Sequence, residues 1–424
     1  MRHWFKLDNA AKIYPPSRTR SWAALFRLSV TLTEEVDKET LAEAQENTLR
    51  RFPSFRCRLR RGFFWYYLEQ ISGAPPILDD IYNPMQRVGG RENNHFTYRL
   101  FAGKNRISAE FFHVLTDGTG GLTFLLSLVA EYLRLKHGVE VPVSDHILRC
   151  SDAPVPSEYE DSFLRYYRKE TLGRTETKAY HQTGTSAPRG KLLFISATVP
   201  SDALRKKAEA YGVSVGVFLA ALMMQAVYEK QKTEKSRRKR RQDVKICVPV
   251  NLRRFFPSRT LRNFSSYVNP SLCSRIGPYT FEEILAQVKH FMALHINEQE
   301  LRARFSANVA SEKNILLRLT PLVLKNPVMK FCYRFQGESY ISAQISNMGL
   351  VRLPDELLPL IGRIDFMLGR ASSKRTDCAV ISAGGKTVLN FTRTTAEADV
   401  TRYFLTSLVK MGVPVYVESN GHPV

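Results

Sequence analysis

Hydrophobic and polar positions alternate along WAALFRLSVTLT, residues 22 to 33, a period-two pattern that predicts a strand. The next stretch, EEVDKETLAEAQENTLRRFP, changes to helical spacing and stops at Pro53. RCRLRRGFFWYYLEQ predicts an aromatic-rich strand or hairpin, and FTYRLFAGKNRISAEFFHV predicts two strands joined across the turn-forming AGKN. LTFLLSLVAEYLRLKHG has the apolar spacing of a helix, with a basic last turn and Gly138 to close it.

Residues 139 to 190 are polar, with Pro, Ser and Gly gathered at 151–157 and 183–190; they predict a crossover carrying one helix near 158–171. A second block then begins. KLLFISATVP predicts a strand, Ser201 is placed to cap the helix DALRKKAEAYG, and 214–231 predicts a buried helix followed by the strand VKICVPVNL. Helices are expected at 280–300, 311–326 and 396–411, and strands at 340–346, 376–383 and 386–393. Mixed strands and helices define an α/β chain in two halves of similar size, divided as 1–180 and 190–424.

Composition narrows the class. The chain has 424 residues, 44% of them hydrophobic and 25 of them Phe, enough for more than one core. The six cysteines have neither C-x-x-C nor metal-ligand spacing, which argues against a metal site or a disulfide scaffold and fits a reducing compartment. The N-terminus lacks the apolar core of a signal peptide, and the longest apolar run, VGVFLAALMMQAVY, is too short for a membrane span. A cytoplasmic monomer without a membrane span is the expectation. The net charge of +22 favours anionic partners, and the run EKSRRKRRQDVK concentrates it at 235–241. That run reads as a solvated loop between a helix and a strand. No nucleic-acid recognition motif accompanies it, so nucleic-acid binding is not expected.

Several motifs fail. GGKT at 384–387 has Val380 where a phosphate loop needs glycine, and GTGG at 118–121 has Thr123 where a dinucleotide fingerprint needs its last glycine. No G-x-S-x-G, H-E-x-x-H or kinase set is present. The stretch AEFFHVLTDGTGGLTFLL survives. Its His113, Asp117 and Gly118 stand where a strand ends and a helix begins, a usual place for an active-site loop. An imidazole with an ordinary pKa near 6.5 suits proton abstraction at neutral pH, and glycine clears space for a substrate. The structural alternative is a satisfied core histidine followed by an aspartate that caps the helix.

His113-Val-Leu-Thr-Asp117-Gly118 resembles the H-x-x-x-D-G signature of the chloramphenicol-acetyltransferase-like superfamily, which includes alcohol O-acetyltransferases, polyketide-associated acyltransferases and peptide-synthetase condensation domains. RRFPSFRCRL, VPVNLRRFFPSRTLRNFSS and ISNMG resemble further segments of that superfamily in the same order. Phe112 stands where condensation domains carry a second histidine, and the closest likeness is to bacterial alcohol-acetyltransferase-like proteins.

The resemblance implies two similar chloramphenicol-acetyltransferase-like domains with an active-site tunnel at their interface. It implies a CoA-dependent O- or N-acyltransferase, with acyl-coenzyme A as co-substrate, no permanently bound cofactor, and a small alcohol or amine as acceptor. His113 would be the general base. Asp117 would form a buried ion pair with an arginine, Arg56 by position, with Arg51 as the alternative. Ser346 and Asn347 are candidates for the oxyanion or substrate, or else a simple strand-ending turn; Arg253 and Arg254 are candidates for the phosphates of coenzyme A, or else surface solvation. The alternatives are a non-catalytic or carrier-protein-docking member of the same fold and, in third place, a basic nucleic-acid binder. IDFMLGR at 364–370 only faintly resembles a late loop of the plant enzymes and carries no assigned function.

Overall fold

The computed structural model describes residues 4–19, 23–80, 84–85, 90–173, 176–188, 190–333 and 338–420. Among these residues the strands form three sheets. A five-stranded sheet runs in the order Ile361–Leu368, Leu25–Leu32, Arg106–Phe112, Tyr98–Ala102 and Ile77–Asp79. Helix Gly118–His137 packs on its central strands and on helix Lys38–Arg51. Residues Gly120 to Leu133 of that helix are buried throughout, which explains an apolar run with almost no polar face.

An eight-stranded sheet carries most of the second half. Val244–Asn251, Ala343–Leu350 and Thr376–Ala383 run parallel at its centre, and Lys386–Arg393 and Leu193–Pro200 continue it antiparallel. Helix Val215–Lys232 lies against the first two of these strands and is buried along most of its length. The third sheet is small: the hairpin Cys57–Arg61 and Tyr66–Gln70, with Trp4–Lys6 on its edge. Two hydrophobic cores result, one around the phenylalanines beneath the five-stranded sheet and one around helix Val215–Lys232.

Most expected elements form. The strand expected at 22–33 is Leu25–Leu32, residue 22 itself lying outside the described residues. Others differ for physical reasons. Ser201 is not an N-cap: the helix Ser201–Ala210 begins at it, and its hydroxyl bonds Thr387 Oγ1 at 2.8 Å. The crossover helix shrinks to Ser162–Tyr166, and the region from 280 to 332 divides into Phe281–His295, Glu298–Lys313, Ile315–Leu319 and Leu322–Cys332. Asn297 and Asn314 accept backbone hydrogen bonds at two of these breaks and so end one helix by starting the next.

Several strands have no counterpart in the sequence reading, and one of them joins the two halves. Ile361–Leu368 comes from the second half yet pairs antiparallel with Leu25–Leu32 of the first sheet, across the division expected near 180–190. It also packs on Thr376–Ala383 and Lys386–Arg393. Its polar side chains are used at this junction: Arg363 bonds Asp365 (2.7 Å) and Glu418 (2.8 Å), while Asn390 Nδ2 donates to Phe366 O (2.9 Å). Arg363 and Asp365 alternate with Ile364 and Phe366, so the polar side chains share one face of the strand.

Candidate active site

Strand Arg106–Phe112 ends at the turn that carries His113, and helix Gly118–His137 starts at the glycine after Asp117. The glycines of GTGG are needed because other atoms of the protein lie close against them. A Cβ at Gly120 would stand 2.0 Å from Leu261 O and 2.2 Å from Thr116 Oγ1. One at Gly121 would stand 2.9 Å from the Phe26 ring, and one at Gly118 would meet Met348 Sδ at 2.8 Å. The turn is therefore clamped from the second half. Thr116 Oγ1 donates to Leu261 O at 2.5 Å, and Asn251 Nδ2 donates to Thr119 Oγ1 at 3.2 Å.

Asp117 is saturated. Its Oδ1 accepts from Gly120 N (3.1 Å), the helix cap; its Oδ2 accepts from Phe264 N (2.8 Å) and from Arg253 Nη1 (2.8 Å). Cap and buried ion pair thus coexist in one carboxylate. The arginine is not Arg56. Arg56 follows a turn after helix Lys38–Arg51 and pairs with Glu46 of that helix at 2.5 Å. Arg51 does not fill the place either, since both its terminal nitrogens bond Glu158 at 2.6 Å. Arg253 also donates to Thr260 O (2.8 Å) and Arg262 O (2.6 Å), so its guanidinium is committed inside the protein and is not free for a phosphate of coenzyme A. A short turn, Leu252–Arg254, after strand Val244–Asn251 aims it at Asp117.

His113 is held differently. Its ring is half-buried between Tyr14 (centroids 5.3 Å) and Phe26 (4.7 Å). Asn263 Nδ2 donates both to His113 O (2.9 Å) and to Asp8 Oδ2 (3.0 Å), which fixes the orientation of its amide. Its carbonyl oxygen therefore faces His113 Nδ1, at 3.4 Å. In that arrangement Nδ1 carries the proton and Nε2 carries the lone pair. Burial pushes the imidazole pKa below its ordinary value, against the opposing pull of Asn263, Asp117, the Thr116 backbone and Asp8. A neutral ring with Nε2 unprotonated can accept a proton from a hydroxyl or an amine.

The segment 346–349 also reaches this loop. Ser346 is half-buried and Asn347 exposed, both inside strand Ala343–Leu350 rather than at its end. Asn347 Oδ1 accepts from Gly349 N (2.8 Å), and Gly349 needs its φ of +79° where the strand's register shifts. Met348, between them, is the side chain that closes over Gly118. Arg254 is exposed with its guanidinium beside Gly349. The basic run is an exposed turn around Arg237–Arg240, between a helix and a strand as expected. Sequence reasoning missed Asp8, Tyr14 and Asn263. The one available signal was a polar Asn263 set between Arg262 and Phe264, and it gave no indication of its target.

With two large sheets and two cores, the chain has the mixed α/β, two-domain fold of chloramphenicol-acetyltransferase-like and condensation-domain proteins. No family model matches the sequence, and no curated protein matches it either. Solved structures do. The TRI3 trichothecene 15-O-acetyltransferase of Fusarium sporotrichioides is 12% identical with a TM-score of 0.60, covering 97% of this chain and 94% of its own. TRI101 of F. sporotrichioides, solved with coenzyme A and T-2, is 10% identical with a TM-score of 0.61, covering 99% and 100%. Polyketide synthase associated protein 5 of Mycobacterium tuberculosis is 14% identical with a TM-score of 0.57, covering 96% and 97%.

Proposed function

We propose that the protein transfers an acyl group from coenzyme A to an alcohol or amine, with His113 as general base. The observation that carries this reading is the His113 ring: Asn263 Oδ1 faces its Nδ1 at 3.4 Å, burial lowers its pKa, and residues of the second half meet it at the turn. The acceptor's O–H or N–H gives its proton to Nε2 as its oxygen or nitrogen attacks the thioester carbonyl. The tetrahedral oxyanion then expels the thiolate, which takes the proton back from the imidazolium. Arg254, exposed beside the 346–349 segment, is a candidate contact for the phosphates of coenzyme A, and Ser346 for the oxyanion. Acyl donor and acceptor would reach His113 from opposite mouths of a tunnel between domains 1–180 and 190–424. The solved neighbours that hold coenzyme A or an acyl-coenzyme A support the choice of donor.

Purified protein, a panel of acyl-coenzyme A donors and mixed alcohols and amines test the reading through thiol release. General base catalysis contributes on the order of 10²- to 10⁴-fold, so His113→Ala should lose roughly that factor. Turnover equal to wild type's would remove His113 from the mechanism. The exposed basic turn at Arg237–Arg240 favours a second reading, in which an acidic acyl-carrier protein delivers the acyl group. Turnover with a carrier-bound thioester and none with coenzyme A would select it.

A further inference from the structure

The short helices Ile315–Leu319 and Leu322–Cys332 turn apolar side chains to solvent. Leu316 is 75% exposed, Val323 66% and Leu324 63%. The aromatic turn Gly62 to Trp65 joins the same face, with Phe63 69% exposed. The joint is built from hydrogen bonds: Leu322 N donates to Phe63 O, Lys325 Nζ to Phe64 O, and Asn326 Nδ2 to Tyr66 Oη, each at 2.9 Å. A contiguous apolar face of this kind marks an interaction surface.

Charge identifies the occupant. From Lys313 to Tyr333 the chain has four cations, Lys313, Arg318, Lys325 and Lys330, and no carboxylate. Glu312, just before, is already bonded by Asn9 and Lys12. Leucine and valine interleaved with lysine and arginine, and bordered by aromatics, suit the boundary between acyl chains and anionic headgroups. A second copy would set the same cations against one another across a symmetric interface. Neither helix is long enough to cross a bilayer.

We propose that this face docks on the surface of an anionic lipid bilayer, Leu316, Val323, Leu324 and Phe63 entering the acyl boundary while Arg318 and Lys330 meet headgroups. The docked face lies close to the candidate active site. Helix Leu322–Cys332 packs on Tyr14–Ser17, and Tyr14 stacks on His113 at 5.3 Å.

Cosedimentation with vesicles of phosphatidylcholine, with and without phosphatidylglycerol, tests the proposal without reference to acyl transfer. The wild-type protein should bind the mixed vesicles, and Leu316→Glu with Leu324→Glu should weaken binding by about tenfold or more. Both positions are exposed, so the variant should keep the wild-type circular dichroism and melting transition. Arg318→Gln with Lys330→Gln should reduce the preference for anionic over neutral vesicles. No binding by the wild type, or equal binding by the glutamate variant, would overturn the proposal. So would self-association in sedimentation velocity that the glutamate variant abolishes while vesicles bind neither protein.

Discussion

Two side chains four residues apart on one loop are held in opposite ways. Asp117 has its oxygens filled by Gly120 N, Phe264 N and both terminal nitrogens of Arg253. His113 has a long bond to Asn263 on Nδ1, a backbone contact at Thr116 and two ring neighbours. A carboxylate with every site occupied has nothing left to offer a substrate; it locks the turn to the second half. An imidazole oriented at one nitrogen leaves the other for chemistry. The contrast divides the motif into a structural residue and a reactive one.

That division can be broken in several places. Asp117→Ala should have the largest effect on stability, about 3–5 kcal/mol, because it strands Arg253 in the interior. Urea unfolding measures it, and an unchanged midpoint would mean that the pair does not hold the loop. Gly120→Ala comes next, with a cost of about 1–3 kcal/mol or more, since its methyl would press on the Leu261 carbonyl rather than on a yielding side chain. Gly118→Ala meets only the end of Met348 and should cost less; equal losses at the two glycines would argue against the clamp.

Asn263→Ala acts on the reactive side. Misplacing a catalytic group by about 1 Å costs on the order of 10²-fold, so turnover should fall by up to that factor. The lost bond favours the charged ring, so the acidic limb of kcat/KM should also move to lower pH. A variant that lost stability but kept the wild-type pH profile would reduce Asn263 to a packing residue. The smallest effect is in the wild type itself. Burial lowers the imidazole pKa, so the acidic limb should have its midpoint below about 6.5. The native state resists protonation there while the unfolded chain accepts it. This group's contribution to stability is therefore complete above about 6.5 and declines as pH falls toward its folded value. A limb midpoint above 6.5 would assign that limb to another group.

Local patterns were legible and long-range partners were not. The helix after the glycines, the hairpins and the central strands follow from apolar spacing within about ten residues. His113 and Asp117 stood out because motif and element boundary coincide in the chain. Arg253 lies 136 positions from Asp117, and the sequence offers many arginines with no rule for choosing among them. Arg56 was the natural choice by segment order, yet its turn leaves it beside Glu46. Asn263 was hidden for the same reason, its partners Asp8 and His113 coming from the far half of the sequence. The strand Ile361–Leu368 was overlooked although Arg363, Ile364, Asp365 and Phe366 alternate with the strand period; what the sequence did not show is its partner, Leu25–Leu32, more than 300 positions away.

The most direct test of the division between His113 and Asp117 is coenzyme A thiol release by His113→Ala and Asp117→Ala, measured beside urea unfolding of both. The His113 variant should unfold near the wild-type midpoint and turn over on the order of 10²- to 10⁴-fold more slowly, whereas the Asp117 variant should lose stability first. A His113 variant that works at the wild-type rate, or that loses as much stability as the Asp117 variant, would contradict the account.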